Sequence, residues 1–561
     1  MLKEHPKGLF IAIFANMGER FGFYTMIAIF ILFLQAKYGL TAASSSQVYG
    51  IFMACVYFLP VIGGLIADRL LGYGKTISVG LVTMFMGYLL LAVPSAMGTR
   101  FSLIIAGLAV IALGTGLFKG NLQALVGNLY DDPKYNAYRD RAFNIFYMGI
   151  NIGAMFAPTA AEEISNWILK KSGYFYDARI PALAHSYLQG KLMQAEEYLS
   201  IARIQDPAVT IETLKTFSEN YINVLSKSYH YGFGVACISL IISMLVFWIF
   251  RSYYKQADMT EKQKTKSNIH KGQIVELSPK QVRERLTALF LVFITVIFFW
   301  MSFHQSGVTM TYFARDYTVP SVSKATNLWF DLFGLLPIFL SVLSLLFLLK
   351  KQSTSAVRVL GAIGFVVFGA LAYLRYHGYE IVNPFTPQKF QHFNPFFIVV
   401  LTPLVIGLFS YLNRKGKEPS APRKIGYGML MAAIGFAVLS IGSIGLPSPQ
   451  SLGGQVAPAT ALVSPYWLIT TYFILTVAEL FLSPMGISFV SRVAPPRYKG
   501  LLQGCWFAAT ATGNYLLSII GALWMKVPLW VLWAILVGCC LLSTVFIFSI
   551  MKRLERATSS A

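Results

Sequence analysis

The chain has 561 residues, 56% of them hydrophobic and only 12% charged, with a mean hydropathy of +0.60. A soluble domain of that length could not hide so much apolar surface, and apolar runs of about 20 residues, enough to cross a hydrocarbon core, recur from end to end. The formal charge of +22 does not point to nucleic acid, because the Lys and Arg residues sit in short connectors between apolar spans.

The first apolar stretch, 8–35, is too long for a signal-peptide core and is interrupted by Glu19 and Arg20, so it reads as a retained helix. The spans that follow are 46–68, 76–94, 101–130, 143–165, 229–250, 286–313, 327–349, 357–376, 394–412, 425–443, 464–490, 501–522 and 528–551, about fourteen in all. Connectors carrying Arg69 and Lys75, then Lys134, Arg139 and Arg141, alternate with charge-poor ones. The long connector 251–285 and the loop holding Arg414, Lys415, Lys417, Arg423 and Lys424 are also basic. All fall on the side of the N-terminus, which makes both termini cytoplasmic in a cell (inner) membrane, with the lipid bilayer as the surroundings. The five cysteines (Cys55, Cys237, Cys505, Cys539, Cys540) lie in apolar spans without ligand spacing and read as small core residues.

Two segments stand outside a plain twelve-helix plan. Residues 166–228 are polar and helical in pattern, with Asp206-Pro207 as the start signal of a second helix, and parity places them outside as a helical insert. The helix pair 327–376 adds two crossings in mid-chain. Without it, six helices (1–165 and 229–250) precede the cytoplasmic linker 251–285 and six (286–313 and 394–552) follow it. An all-α chain of two six-helix halves resembles the major facilitator superfamily, where substrate sits near the midplane between the halves.

An ionisable group near the bilayer centre costs about 2.5–3.5 kcal/mol even on the lenient scale, so each needs a partner and a reason. Helix 1 carries Glu19 and Arg20. The fourth span carries Lys119 in GTGLFKGNLQALVGNLY, the seventh His304 and Gln305 in FFWMSFHQSG, and the tenth of the twelve core helices Glu479 in LTVAELFLSPMG. Asp331 lies near the outer end of its span. Buried amides such as Gln305 and Asn151 are as well explained as glue between helices, and a lone His304 serves packing as readily as proton transfer. Two acids and two bases on three helices can neutralise each other in pairs. They can also exchange partners when a proton arrives, which is what a coupled transporter needs.

NMGERFGFY, 16–24, resembles the ExxERFxYY signature of the proton-dependent oligopeptide transporter (POT/PTR) family. GGLIADRLLGYGKTI, 63–77, is similar to its loop between helices 2 and 3. FNIFYMGINIGAM, 143–155, is close to its FYxxINxG signature on helix 5. FQHFNPFFIVVLTP resembles its helix 8 and AELFLSPMG its helix 10.

The resemblance implies a major facilitator fold carrying di- and tripeptides with protons. It implies that Lys119 and Glu479 form a salt-bridge switch that also meets the peptide termini, and that Glu19, Arg20 and His304 serve coupling. It places Tyr24, Tyr57, Asn151, Trp300, Asn394 and Trp506 in the peptide pocket. A zwitterion needs a cation, an anion or amide, and roomy aromatic walls. The departures are Asn16 and Phe23 in the first signature, and Ile27 and His304 where the family pairs a base with an acid across the outer gate, so that gate is expected to close by other contacts. Rival readings are a carrier of nitrate or another small anion and a proton-independent peptide facilitator. HExxH, GxSxG and carboxylates at metal-ligand spacing are missing from the sequence, so neither an enzyme, a cofactor nor a metal is expected.

Overall fold

The computed structural model describes residues 5–95, 101–192, 195–258, 278–350, 354–495 and 498–559. Its helices in chain order are α1 (Lys7–Tyr38), α2 (Ala42–Ile66), α3 (Tyr73–Ala92), α4 (Phe101–Asn128) and α5 (Arg139–Lys171). Next come α6 (Ile180–Leu188), α7 (Ala195–Gln205), α8 (Leu214–Ile249), α9 (Pro279–Phe303), α10 (Thr309–Asp316) and α11 (Lys324–Phe330). The rest are α12 (Leu332–Leu349), α13 (Ser355–His377), α14 (Phe393–Arg414), α15 (Ala421–Gly442), α16 (Tyr466–Val493), α17 (Lys499–Leu523), α18 (Leu529–Ser549) and α19 (Met551–Ser559).

Among the described residues, 13 spans are long and apolar enough to cross a membrane, α9 and α10 counting as one. α5, at 33 residues, has the length as well. It is more polar, holding Asn144, Asn151, Thr159, Glu162 and Glu163, and it completes the fourteen expected from sequence. In the first half α1 packs on α5 and α8, α3 on α4 and α8, and α2 on α4. In the second half α15 packs on α16 and α18, α9 on α17 and α18, and α14 on α16. The halves meet where α2 lies along α17 and α5 along α14. The turn from α1 to α2 shows why the chain reverses there. Gly39 takes the left-handed conformation (φ 60°) and donates to Gln35 O, and Thr41 caps α2 by accepting from Ser44 N at 3.2 Å.

Several boundaries differ from expectation. The seventh span is not one helix: α9 ends at Phe303, His304–Gly307 forms a 3-10 turn, and α10 resumes at Thr309. The polar run His304-Gln305-Ser306-Gly307 offers side chains that compete with the helical ladder, and Thr309 Oγ1 donates to Gln305 Oε1 at 2.8 Å across the break. The insert is shorter than 166–228, because α5 runs to Lys171 and α8 starts at Leu214 and continues to Ile249. Asp206-Pro207 does not start a helix. Asp206 Oδ1 accepts from Ala208 N at 2.9 Å, a local turn that the same residue pair serves equally well. The eighth span starts not at 327 but at α12, which Asp331 caps through Phe333 N at 3.0 Å while pairing with Arg375 at 2.5 Å. Residues 259–277 of the basic linker lie outside the described residues.

The insert is docked rather than free. Gln205 exchanges hydrogen bonds with the backbone of Phe175 (3.0 and 3.1 Å), and Tyr221 OH donates to Phe175 O at 3.0 Å. The His185 ring reaches Ala36 O at the end of α1 with Nε2 at 2.8 Å. Below the insert, a cavity of about 360 Å³ is bounded by the α1–α2 turn, Arg315, Asp316 and Trp524. α12 and α13 pack chiefly on each other, and most of α13 faces outward. A two-residue ladder, Ser321–Val322 antiparallel to Asn383–Pro384, closes the base of this pair and returns the chain to α5. The side carrying the start of α1 is called here the N-terminal face and the other the insert face.

Candidate functional site

Of the charged residues expected to act, three groups stand inside the bundle. On α1, Glu19 and Arg20 are adjacent, so their Cα–Cβ bonds diverge by about 100° and the side chains must curl to meet. They do so in a bidentate pair, Arg20 Nε and Nη2 each donating to a Glu19 carboxylate oxygen at 2.5 Å. Both are buried, at 1% and 4% exposure, and the guanidinium also lies 4.7 Å from the Phe23 ring centroid. Asn16, one turn earlier, is buried with its Nδ2 unpartnered among the described residues.

The second group is Lys119 on α4, whose Nζ sits 3.7 Å from the Tyr57 ring centroid on α2. That is cation–π distance, and the ring face partly replaces the water the ammonium has lost. Among the described residues Lys119 makes no ion pair. The sequence expectation of a Lys119–Glu479 salt bridge is therefore not met in this conformation, the aromatic face having taken the cation.

Glu479 on α16 forms the third group. It is 8% exposed and held by neutral donors: Asn394 Nδ2 reaches Oε2 at 2.8 Å, and Tyr147 OH reaches Oε1 at 3.3 Å. Asn394 is steadied by Thr476 Oγ1 at 3.2 Å, and Tyr147 by the turn below it, where Asn151 Nδ2 donates to Tyr147 O at 2.9 Å. Because Tyr147 belongs to the first half and Asn394 and Glu479 to the second, the carboxylate is gripped across the junction. It lies within electrostatic reach of Tyr24 and Tyr57 as well.

His304, at the break after α9, stacks on Trp300 with centroids 4.9 Å apart and lies 5.8 Å from the Tyr57 ring. Its Nδ1 is hydrogen-bonded to the Asn514 side chain on α17. Trp300 is buried, and its indole N–H has no acceptor among the described residues.

The structure thus gathers Tyr24, Tyr57, Lys119, Asn151, His304, Trp300, Asn394 and Glu479 around the junction of the halves. Trp506 is apart from them. It packs edge-on to Phe293 (6.4 Å) and across Gly486, where a Cβ would stand 1.8 Å from the indole. Gly486 lies about two turns beyond Glu479, toward the N-terminal face. Tyr147 and Asn514 were not singled out from sequence. Tyr147 stands within the helix 5 signature, which is the signal that could have found it; Asn514 is an amide in an apolar span with no such flag.

A family model described as "POT family" matches residues 74–270 and 365–531. The chain is 27% identical over 536 residues to the peptide transporter YePEPT of Yersinia enterocolitica, covering 92% of this chain and 88% of that protein. It is 26% identical over 532 residues to dipeptide and tripeptide permease B of Xenorhabdus bovienii, covering 93% and 88%. Among solved structures, a peptide transporter POT in complex with sulfate aligns over 99% of this chain and 96% of its own, with a TM-score of 0.64 and 21% identity. A POT family transporter in complex with 5-aminolevulinic acid aligns over 98% and 97%, with a TM-score of 0.66 and 17% identity. The major facilitator fold of the helical bundle, the matched residues and the named relatives agree: the chain is a multi-pass membrane protein and belongs to the POT family of transporters.

Proposed function

We propose that this protein is a symporter of di- and tripeptides with protons, working by alternating access in a cell (inner) membrane with both termini cytoplasmic. The observation that carries the reading is that two ionisable groups of opposite sign, Lys119 and Glu479, make no ion pair with each other. Lys119 rests on an aromatic ring in the first half, and Glu479 is held by neutral donors at the edge of the second. A zwitterion fits between them, its carboxylate taking the ammonium of Lys119 and its ammonium taking Glu479 and Asn394. Trp300 and His304 line the space for varied side chains. An anion alone would satisfy Lys119 and leave Glu479 facing it, which disfavours nitrate. On this reading Lys119 and Glu479 come together only when the site is empty and the halves have moved. The insert and the α12–α13 pair are accessory, since none of the gathered residues belongs to them.

A proton-independent facilitator is the reading favoured by Asn16, which cannot carry a transferable proton. One experiment separates the two. Proteoliposomes loaded with the protein should concentrate a labelled dipeptide when given an inward proton gradient. Di- and tripeptides should compete, while free amino acids and nitrate do not. Equilibration without concentration would leave a facilitator, and lack of any peptide uptake or exchange would overturn the substrate assignment.

A further inference from the structure

Near the insert face the two halves are joined by several polar contacts. Arg315 donates to Gln35, and Tyr312 OH donates to Ala42 O at 3.2 Å. Another, buried, involves Glu162, two turns from the end of α5. Thr386 Oγ1 donates to its Oε1 at 2.7 Å and Thr386 N at 3.1 Å, and Lys389 Nζ lies 2.6 Å from its Oε2. The lysine approaches off the hydrogen-bonding angle, so its contact is an ion pair in character. Glu162 is 1% exposed and Lys389 14%.

We infer that Glu162 with Thr386 and Lys389 forms the clamp that holds the transporter shut on the insert face, a positioning role in the transport cycle that rests on the alternating-access reading above. Glu162 is carried by the first half, while Thr386 and Lys389 lie just ahead of α14 in the second. The two-residue ladder 321–322 and 383–384 brings them to α5. A carboxylate with two neutral donors and one cation is satisfied only while the halves touch there. When they part, both ions must be rehydrated, so the clamp has two discrete states: fully made, or open to water. Gln35–Arg315 and Ala42–Tyr312 lie on the same face and close with it, but each has a neutral partner and so contributes less to the balance.

The test is hydrogen–deuterium exchange on the full-length protein in nanodiscs without peptide, comparing wild type, Glu162→Gln, Lys389→Met and the double variant. Each single change should raise exchange in segments 38–48, 309–318 and 383–392 by roughly a hundred- to several-thousandfold, as expected when a buried pair loses one partner. The double variant should go no further than either single one, since the two act through one contact. Should Glu162→Gln fold poorly, Glu162→Asp and Lys389→Arg should shift the same segments in the same direction with retained melting temperature. Unchanged exchange in these segments, or additive effects of the two changes, would overturn the clamp. Because no transport is measured, the outcome is readable even if the wild type moves no peptide, which is how failure of the substrate reading would declare itself.

Discussion

Lys119 lies against the face of Tyr57, 3.7 Å from its centroid, in a bundle where Glu479 is engaged by Tyr147 and Asn394. A cation held by a ring is easier to draw away than one in a buried ion pair, because the ring contributes about 0.5–2 kcal/mol where a buried ion pair can hold several. On the proposed function, the site would receive an incoming carboxylate on one side and an ammonium on the other.

From this follows the effect of Lys119→Ala. Losing the cation should weaken peptide binding by about 2–5 kcal/mol, the usual effect of truncating one partner of a buried charge pair, and abolish gradient-driven uptake. The measurement compares a dipeptide with its C-terminal amide. Wild type should prefer the free carboxylate strongly, and Lys119→Ala should bind the two alike. Retained discrimination would place the carboxylate site elsewhere.

The two neutral donors on Glu479 should differ in weight. Asn394 at 2.8 Å is the shorter bond to a charged group, and its loss in Asn394→Ala should lower peptide affinity by about 1.5–3 kcal/mol. Tyr147 at 3.3 Å is longer, so Tyr147→Phe should cost less. Because Tyr147 comes from the other half, Tyr147→Phe should also alter the rate of reorientation, read as peptide counterflow, whereas Asn394→Ala should act on affinity alone. Equal effects of both changes on affinity and counterflow would refute this division.

The architecture was legible in the sequence because it rests on local signals, and so were the candidate site charges. Apolar runs mark the spans, and charges stranded in them mark Glu19, Arg20, Lys119 and Glu479. What sequence reading missed depends on geometry between distant segments. The partner of Lys119 varies with how the halves sit, so the ion pair with Glu479 could not be read as present or absent in any one conformation. Glu162 passed unnoticed because it lies near the polar end of its span, where an acid needs no special partner. Only the return of the chain at 383–389 shows that it has one. Asp206-Pro207 misled because the side chain that caps a helix also makes a free-standing turn.

The docking of the insert should weaken in acid. His185 sits on α6 outside the spans, and burial holds its imidazole below the usual histidine range, its bond to Ala36 O opposing this only in part. A folded-state value below the unfolded one means that docking is at full strength above the ordinary histidine range. It is lost as pH falls through the lowered value, since the undocked ring takes up the proton. Protection against hydrogen exchange in α6, taken relative to the intrinsic rate at each pH, should therefore fall on going from neutral to acidic pH in wild type, and His185→Gln should flatten that dependence. Protection in α6 that is insensitive to pH would remove His185 as the cause.

If transport is proton-coupled as proposed, Glu19 is the acid expected to carry the proton. Asn16 cannot, and in this conformation Glu19 is fully paired with Arg20, both oxygens engaged at 2.5 Å and both side chains buried. Coupling requires that the pair loosen in the other conformation, leaving Glu19 buried without its partner and ready to take a proton. Each proton moving inward across 100 mV releases about 2.3 kcal/mol, enough for roughly a 50-fold peptide gradient. Glu19→Gln should thus abolish concentrative uptake while leaving counterflow exchange of peptide, because exchange needs only the loaded carrier to reorient. The variant will also leave Arg20 without an acid, so Glu19→Gln/Arg20→Gln should restore any lost stability without restoring the gradient response. If Glu19→Gln still concentrates peptide in response to a pH gradient, the coupling group lies elsewhere. His304 is then the next candidate, beside Tyr57 and Trp300.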